Sequence, residues 1–249
     1  MSAEPAAVNL WSDPAWAQRY LGERDGIPHR VEGITVLMEM VPRRPRRVLD
    51  LGTGDGYTLG LLRAAVPSPE EEVPSPDEGA GSARPGTAGC VRERRAKRAR
   101  PEEWVGVDFS AEMLERARAR FAPDPAVQIV EHDLDEPLPP SLGRFDLVVS
   151  SFAIHHCVHE RKRALYEEVF GLLAPGGMFA NLEHVASATP TLHVDFLAAI
   201  GKSAGEDDPS NKLLDVETQL RWLRELGFED VDCHWKWREL ALLCGVKPR

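Results

Sequence analysis

Apolar and polar positions along the chain follow two alternating patterns. Short apolar runs predict strands at residues 47–51, 103–108, 127–132, 145–150 and 177–183. Helical spacing of apolar positions predicts helices between them, at residues 57–65, 111–121 and 160–173. Because a strand, a helix and the next strand connect by a right-handed crossover, this order predicts a parallel sheet covered by helices.

The pattern changes towards the C-terminus. After Gly227, apolar runs at residues 228–237 and 239–246 are separated by almost no chain, which requires an antiparallel pair. Residues 186–226 read as helices with a flexible joint at residues 201–211. We expect these helices to form a cap over the ligand-binding edge of the sheet, where substrate specificity is set.

The N-terminal part and one internal segment complete the organisation of a single domain, residues 1–249. Residues 9–41 contain two helix-like stretches, at residues 14–21 and 28–40, and are expected to pack over the first strand at its ligand end. Residues 67–103 are dense in Pro, Ser, Glu and Gly and end in a basic run at 91–100, which predicts a disordered low-complexity insertion. The basic run fits either a nucleic-acid contact or a solvated tail balanced by nearby acids.

The most informative motif follows the first strand. Residues 48–57 read Val-Leu-Asp-Leu-Gly-Thr-Gly-Asp-Gly-Tyr, a strand that enters a glycine-rich loop and then a helix. Bare backbone at a helix N-terminus lets a nucleotide-like ligand approach closely. Tyr57 stands where a dinucleotide fingerprint needs its third glycine, and Asp50 disfavours a pyrophosphate and favours a ligand that carries positive charge.

Asp50, Gly52, Gly54 and Gly56 match, position by position, the first motif of the class I S-adenosylmethionine-dependent methyltransferases, which the chain resembles. The resemblance implies a Rossmann-like, doubly wound α/β fold. Its seven-stranded sheet is mostly parallel and has an antiparallel C-terminal hairpin strand. It also implies S-adenosyl-L-methionine as cofactor, held by Asp50 and by the loop residues Gly52, Thr53, Gly54 and Gly56.

Further cofactor contacts are expected at the ends of the later strands. Asp108 is placed to accept hydrogen bonds from the ribose hydroxyls, and removing the insertion leaves the spacing of about 20 residues expected between such a loop and its ribose acid. Phe109 is expected near the adenine. By resemblance, Asp133 accepts the adenine amino proton and the Leu134 N–H reaches the ring. Helix capping by Asp108 and turn formation by Asp133 remain alternatives.

Three more cofactor residues complete this prediction. Ser150 ends the fourth predicted strand, whose C-terminal end borders the sulfonium according to the resemblance. Tyr20 and Arg30, in the N-terminal helical segment, are expected at the amino-acid end of the cofactor, with Arg30 meeting its carboxylate.

Methyl transfer from a sulfonium is an in-line displacement that depends mainly on positioning and desolvation. A general base is needed only when the acceptor must lose a proton. The candidates are His155 and His156, after the fourth strand, and Glu183 and His184, after the fifth. A loop histidine without proton transfer is the alternative for the first pair, and a metal site is disfavoured because adjacent ligands diverge.

Composition narrows the partners. A formal net charge of −10 argues against broad capture of nucleic acid or of an anionic membrane. The four cysteines form no CxxC pair, and no apolar run approaches a membrane span, so we expect a soluble, cytoplasmic protein. Methylation of a small molecule is the favoured function. Methylation or related cofactor chemistry on RNA or protein and non-catalytic cofactor binding remain alternatives, and the oligomeric state stays open.

Overall fold

The computed structural model describes residues 11, 13–43, 45–65 and 103–249. Its centre is a seven-stranded sheet with the order β3-β2-β1-β4-β5-β7-β6. The strands are β1 (Arg47–Leu51), β2 (Glu103–Asp108), β3 (Val127–Glu131), β4 (Phe145–Ser151), β5 (Leu173–His184), β6 (Glu229–Trp237) and β7 (Leu240–Val246). Neighbours among β1 to β5 are parallel, whereas β7 runs antiparallel to both β5 and β6. The predicted fold class is confirmed.

Seven α-helices lie in the described residues. They are α1 (Pro14–Glu23), α2 (Arg30–Met40), α3 (Tyr57–Ala65), α4 (Ala111–Phe121), α5 (His159–Leu172), α6 (Pro190–Ala199) and α7 (Val216–Glu225). Successive residues of β1 enter different cores, because side chains alternate along a strand. Val48 packs with apolar residues of α2 and α3, and Leu49 with those of α5 and α7. Helices therefore cover both faces of the sheet, which explains why the central strands read as continuous apolar runs.

The element boundaries differ from the sequence predictions at a few places. Helix α2 begins at Arg30 instead of residue 28, because His29 before it adopts a left-handed conformation with φ of 61°. Strand β5 begins at Leu173, four residues before the predicted start at 177, since Leu173 already pairs with Phe145 of β4.

Two predicted segments remain, the helical cap and the insertion. Residues 186–226 contain α6, a short 3-10 turn at Ala204–Glu206 and α7. The predicted disordered insertion, together with its basic run, lies outside the described residues except for Glu103, which is the first residue of β2. None of the helices in the described part of the chain combines the length and apolar character that crossing a membrane requires.

Candidate active site

The loop between β1 and α3 depends on glycine. Gly52, Gly54 and Gly56 have φ of 67°, 56° and 78°, a left-handed conformation that other residues adopt only with strain. A Cβ at Gly52 would also lie 2.2 Å from the Cβ of Ala153, in the segment after β4. The loop can therefore pack this closely against the neighbouring strand end only if residue 52 has no side chain.

Asp108 ties this glycine loop (residues 52–56) to the end of β2. Its Oδ2 accepts a hydrogen bond of 2.8 Å from the Gly54 N–H, and its Oδ1 accepts one of 2.9 Å from the Ser110 N–H. Burial raises the pKa of the Asp108 carboxyl, which the backbone hydrogen bonds oppose. Each oxygen keeps a second lone pair with which to accept a ligand hydroxyl.

A cavity of about 400 Å³, the first cavity, opens at the carboxyl edge of the sheet. Its size is typical of small-molecule sites, and this edge is where doubly wound folds bind ligands. Nine of the predicted cofactor residues line it: Tyr20, Arg30, Gly52, Thr53, Gly54, Asp108, Phe109, Asp133 and Leu134. The tertiary structure thus brings together residues from the N-terminal segment and from the ends of the first three strands.

Three predicted cofactor residues do not line the first cavity: Asp50, Gly56 and Ser150. The Ser150 hydroxyl is fully buried and donates to the carbonyl of Leu51, 2.9 Å away. Because side chains alternate along β4, the next residue, Ser151, lines the cavity instead. Gly56 packs at the foot of α3, where a Cβ would lie 2.5 Å from Phe121.

Asp50 lies behind the glycine loop. It is 1% exposed, and its Oδ2 accepts a 2.7 Å hydrogen bond from the Thr53 hydroxyl. Its Oδ1 has no hydrogen-bond partner among the described residues. Burial raises the pKa of the Asp50 carboxyl to about 7, although the Thr53 hydrogen bond opposes this. In this arrangement Asp50 supports the loop, and its direct contact with a cationic ligand stays a prediction.

Several residues that line the first cavity belong to no sequence motif, and the sequence analysis did not predict them. Arg24 donates to the Asp55 carboxylate at 2.8 Å and lies over the Tyr57 ring, 4.4 Å from its centroid. Trp11 also lines the cavity, from the residues before α1. The sequence analysis predicted that the N-terminal segment packs over the first strand. That prediction did not identify which residues of the segment would line the cavity.

A second cavity of about 130 Å³ adjoins the first. Residues common to both linings form a shared wall: Trp11, Tyr20, Arg30, Phe152 and His156. The accessible surface of the second cavity is mainly apolar, with contributions from α6 and from the start of β7. Its other lining residues also include polar and charged ones: His155, His184, Lys202, Asp207, Asp208 and Asn211. Two of the predicted catalytic residues, His155 and His184, line only this second cavity.

His155 and Glu183 form a buried pair at the second cavity. The His155 Nδ1 lies 2.8 Å from Glu183 Oε1, and Glu183 is completely buried. Burial lowers the pKa of His155 well below its usual value and raises the pKa of Glu183. The imidazole is therefore neutral near pH 7, with the proton assigned to Nδ1 by its contact with the carboxylate. Its Nε2 has no hydrogen-bond partner among the described residues.

His156 differs from His155 because both of its ring nitrogens are engaged. The Trp11 indole N–H donates to His156 Nε2 at 3.1 Å, so the neutral ring carries its proton on Nδ1, 2.9 Å from the Ser210 hydroxyl. That hydroxyl in turn donates to Asp208 at 2.6 Å. Burial lowers the pKa of His156 to about 3. His156 thus joins the N-terminal segment to the loop before α7 and has no free lone pair for a substrate proton.

His184 belongs to a separate chain of polar contacts. Its Nε2 lies 3.0 Å from Oε2 of the fully buried Glu239, whose Oε1 lies 3.0 Å from His193 Nδ1. Within the described residues, no group of three or more His, Cys, Asp or Glu side chains is arranged to hold a metal ion. Burial raises the pKa of the nearby Cys157 thiol to about 12, so this cysteine is protonated at neutral pH.

The first cavity fits an adenosyl cofactor. A Cβ at Gly54 would have no neighbour nearer than the Met113 sulfur at 4.0 Å, so the missing side chain leaves space beside the loop. The Ser151 hydroxyl is buried in the cavity wall with no partner among the described residues. Asp108 and Asp133 add acceptors for ribose and adenine.

Comparison with known proteins finds methyltransferases. A family described as a methyltransferase domain matches residues 86–177. The chain is 27% identical to a demethylmenaquinone methyltransferase of Clavibacter sepedonicus over 222 residues, which cover 82% of this chain and 85% of that protein. It is 24% identical to a carboxy-S-adenosyl-L-methionine synthase of Desulforapulum autotrophicum over 163 residues, which cover 60% of this chain and 66% of that protein.

Solved structures share the fold. An O-methyltransferase family protein from Burkholderia thailandensis has a TM-score of 0.65 and 17% identity, covering 99% of this chain and 65% of its own. Human N-acetylserotonin methyltransferase, solved in complex with S-adenosylmethionine, has a TM-score of 0.61 and 16% identity, covering 100% and 61%. The chain therefore spans less than two thirds of the length of these two proteins.

The sheet order, the glycine loop with its partner Asp108, and the methyltransferase-domain match over residues 86–177 agree with one another. In these features the chain resembles the class I S-adenosylmethionine-dependent methyltransferases. It is an enzyme with a methyltransferase domain, and its first cavity fits S-adenosylmethionine as cofactor.

Proposed function

We propose that this enzyme transfers the methyl group of S-adenosylmethionine to a small molecule bound in the second cavity. The observation that carries the proposal is the shared wall of five residues between the first cavity, which fits the cofactor, and a second cavity of about 130 Å³. An engineered apolar cavity of about 150 Å³ takes up benzene, so this volume suits a compact acceptor.

In this proposal the first cavity holds the cofactor through its glycine loop and the residues at the ends of β2 and β3. The glycine loop faces the sugar, Asp108 accepts from the ribose hydroxyls, and Asp133 with Leu134 meets the adenine. The cofactor supplies an activated methyl group, and the protein supplies position and a water-poor surrounding. Tyr20 and Arg30, in the shared wall, would lie between the cofactor and the acceptor.

The proposed general base is His155. Its Nδ1 contact with Glu183 leaves Nε2 as the lone pair available to the second cavity, and the neutral ring is ready to accept a proton. Glu183 lines neither cavity and acts through His155, as a positioning residue. His156 and His184 have other partners, at Trp11 and Glu239, and we propose that they shape the wall.

Methylation of RNA or protein is the alternative that the basic run at residues 91–100 encouraged. That run lies outside the described residues, and the described site offers a small, largely apolar second cavity. One of the relatives is named as a carboxy-S-adenosyl-L-methionine synthase, so related cofactor chemistry is the second candidate. Cofactor binding without catalysis would not explain the buried His155–Glu183 pair beside the second cavity.

The test uses isotopically labelled S-adenosylmethionine and a cell extract separated into low-mass and macromolecular fractions. We expect the label in a low-mass product identified by mass spectrometry. Label in protein or RNA, or cofactor binding without any labelled product, would contradict the proposal.

Two variants make the assay specific. Gly54→Ala places a methyl group beside the cofactor and should lower labelling together with the affinity for S-adenosylhomocysteine. His155→Asn should leave that affinity unchanged within about twofold but lower the rate of labelling roughly 100-fold, a typical contribution of a general base. Equal labelling by His155→Asn and wild type would exclude His155 as the base.

A further inference from the structure

Arg30 is a buried cation without an acidic partner among the described residues. It is 5% exposed, and no described carboxylate lies within 4.0 Å of its guanidinium. Within the described part of the chain, the guanidinium makes one hydrogen bond, from Nη1 to the Tyr20 hydroxyl, at 3.0 Å. The Phe152 ring covers it, with the centroid 4.6 Å from Cζ. Aromatic contacts hold the guanidinium in place but leave most of its five donors unused.

Such an arrangement is costly unless a ligand completes it. Taking a cation out of water costs several kcal/mol when no anion compensates it. The other guanidinium nitrogens are not among the fully buried atoms that lack a hydrogen-bond partner. These donors therefore face the two cavities that Arg30 lines. A carboxylate matches the planar fork of donors with two parallel hydrogen bonds.

The acids nearest the second cavity do not supply that anion. The Asp207 Oδ2 lies 3.3 Å from the His193 Nε2. The Asp208 carboxylate accepts hydrogen bonds from the backbone N–H and the hydroxyl of Ser210. Both carboxylates are thus engaged away from Arg30. The anion that pairs with this guanidinium is therefore expected to arrive with a ligand.

The cavities differ in how many cations they offer to a ligand. In the described residues the first cavity is lined by Arg24 and Lys212 as well as Arg30, and the Lys212 ammonium donates to the carbonyl of Pro209, 3.4 Å away. The cofactor carboxylate therefore has other cations within its own cavity. In the described residues the second cavity is lined by the cations Arg30 and Lys202. The Lys202 Nζ already has an acidic partner, the Glu23 Oε2 at 3.8 Å.

We propose that Arg30 is the residue that selects the acceptor, and that the acceptor is a compact apolar molecule carrying a carboxylate, bound by the Arg30 guanidinium in the second cavity. The proposal rests on the proposed function of that cavity. It reassigns Arg30 from the cofactor carboxylate, where the sequence analysis placed it. The surrounding apolar side chains would take the body of the acceptor: Ile27, Phe152, Phe196, Leu197, Ile200 and Leu240.

The experiment titrates the full chain, saturated with S-adenosylhomocysteine, with benzoate and with the neutral, equally sized benzamide by calorimetry. We expect benzoate to bind at least about tenfold more tightly, because a charged bidentate pair replaces neutral hydrogen bonds. Arg30→Gln should remove the difference, and Arg30→Lys should restore part of it. Lys202→Gln, which removes the other cation of this cavity, should change the ratio by less than about twofold.

A separate titration tests the alternative source of the carboxylate. Arg30→Gln should bind S-adenosylhomocysteine and 5′-methylthioadenosine, which lacks the carboxylate, as wild type does. A selective loss of S-adenosylhomocysteine affinity would assign Arg30 to the cofactor and overturn the inference. Equal binding of benzoate and benzamide, or binding of neither, would also overturn it. If the wild-type protein does not bind S-adenosylhomocysteine, the proposed function itself fails, so the two failures are distinguishable.

Discussion

The two cavities share a wall, yet different parts of the chain build them. Much of the first cavity comes from short segments that directly follow β1, β2 and β3, and backbone groups of the glycine loop form part of its surface. The second cavity combines side chains from residue 11 to residue 240, including the cap and the segment after β4. A binding site built from the backbone of one short segment can be recognised in a sequence as a motif. A binding site built from side chains that are far apart in the sequence depends on how the whole chain packs.

The largest expected effect tests the backbone side of this comparison. Gly52→Ala combines a left-handed backbone with a Cβ 2.2 Å from Ala153, which costs roughly 2–5 kcal/mol of strain and overpacking. We expect loss of S-adenosylhomocysteine binding by calorimetry and a lower thermal unfolding midpoint. Gly205→Ala, at an exposed glycine with no atom within 4 Å, is the matched control. Wild-type affinity in Gly52→Ala would show that the loop tolerates a side chain.

The next effect concerns the acid behind the loop. Burial raises the Asp50 pKa from 3.8 to about 7, so the folded state holds a proton that the unfolded state has released. Ligand-free wild type should therefore lose stability between about pH 4 and pH 7, by up to roughly 4 kcal/mol at about 1.36 kcal/mol per pKa unit. Asp50→Asn should gain stability relative to wild type over that range, measured by urea unfolding. The exposed Asp195→Asn serves as control, and a pH-independent difference for Asp50→Asn would refute the explanation.

Two acids, Asp108 at the first cavity and Glu239 beside the second, compare the two regions directly. Asp108→Asn should weaken S-adenosylhomocysteine binding by roughly 10- to 100-fold, since hydrogen bonds to a charged group contribute about 1.5–3 kcal/mol. Glu239→Gln changes an acid that contacts His184 and His193 beside the second cavity, and it should leave this affinity within about twofold. Isothermal calorimetry on both variants measures the contrast. Equal losses would mean that the cavities do not behave as separate binding sites.

The smallest effect addresses the shared wall. Trp11→Phe removes the indole N–H that donates to His156, and a net loss of about 1 kcal/mol predicts roughly fivefold faster release of S-adenosylhomocysteine. Stopped-flow measurement of the dissociation rate tests this. Trp16→Phe, in the same N-terminal segment but outside both cavities, should not change the rate. An unchanged rate in Trp11→Phe would show that this contact does not retain the cofactor.

Sequence reasoning reached the first cavity because its elements are local. Strands β1 and β2 and helices α3 and α4 were predicted to the residue, and Gly52, Gly54 and Asp108 lie where the motif placed them relative to those elements. The sequence analysis named Ser150 at the end of β4, whereas the structure has Ser151 lining the first cavity, because a motif locates a strand end but does not tell which face of the sheet each side chain takes.

The second cavity shows the opposite balance. His155 and Glu183 were both named as candidates, but their contact depends on β4 and β5 lying side by side, with Ser151 opposite Leu182. The different state of His156 depends on Trp11 and Ser210, which are 145 and 54 residues away in the chain. No local pattern relates such residues, so their protonation and partners follow only from the packed structure.

By itself the sequence determined the class of fold and predicted the cofactor and nine of the residues that line the first cavity. The physical reason is that left-handed glycines, a strand-terminal acid and alternating apolar runs are local requirements, visible wherever they occur. The tertiary structure alone decided that a second cavity exists, that His155 and not His156 keeps a free nitrogen, and that Arg30 is buried without an acidic partner among the described residues. Burial and side-chain contacts between distant segments are properties of the packed chain, and they determine which charges remain available for a ligand.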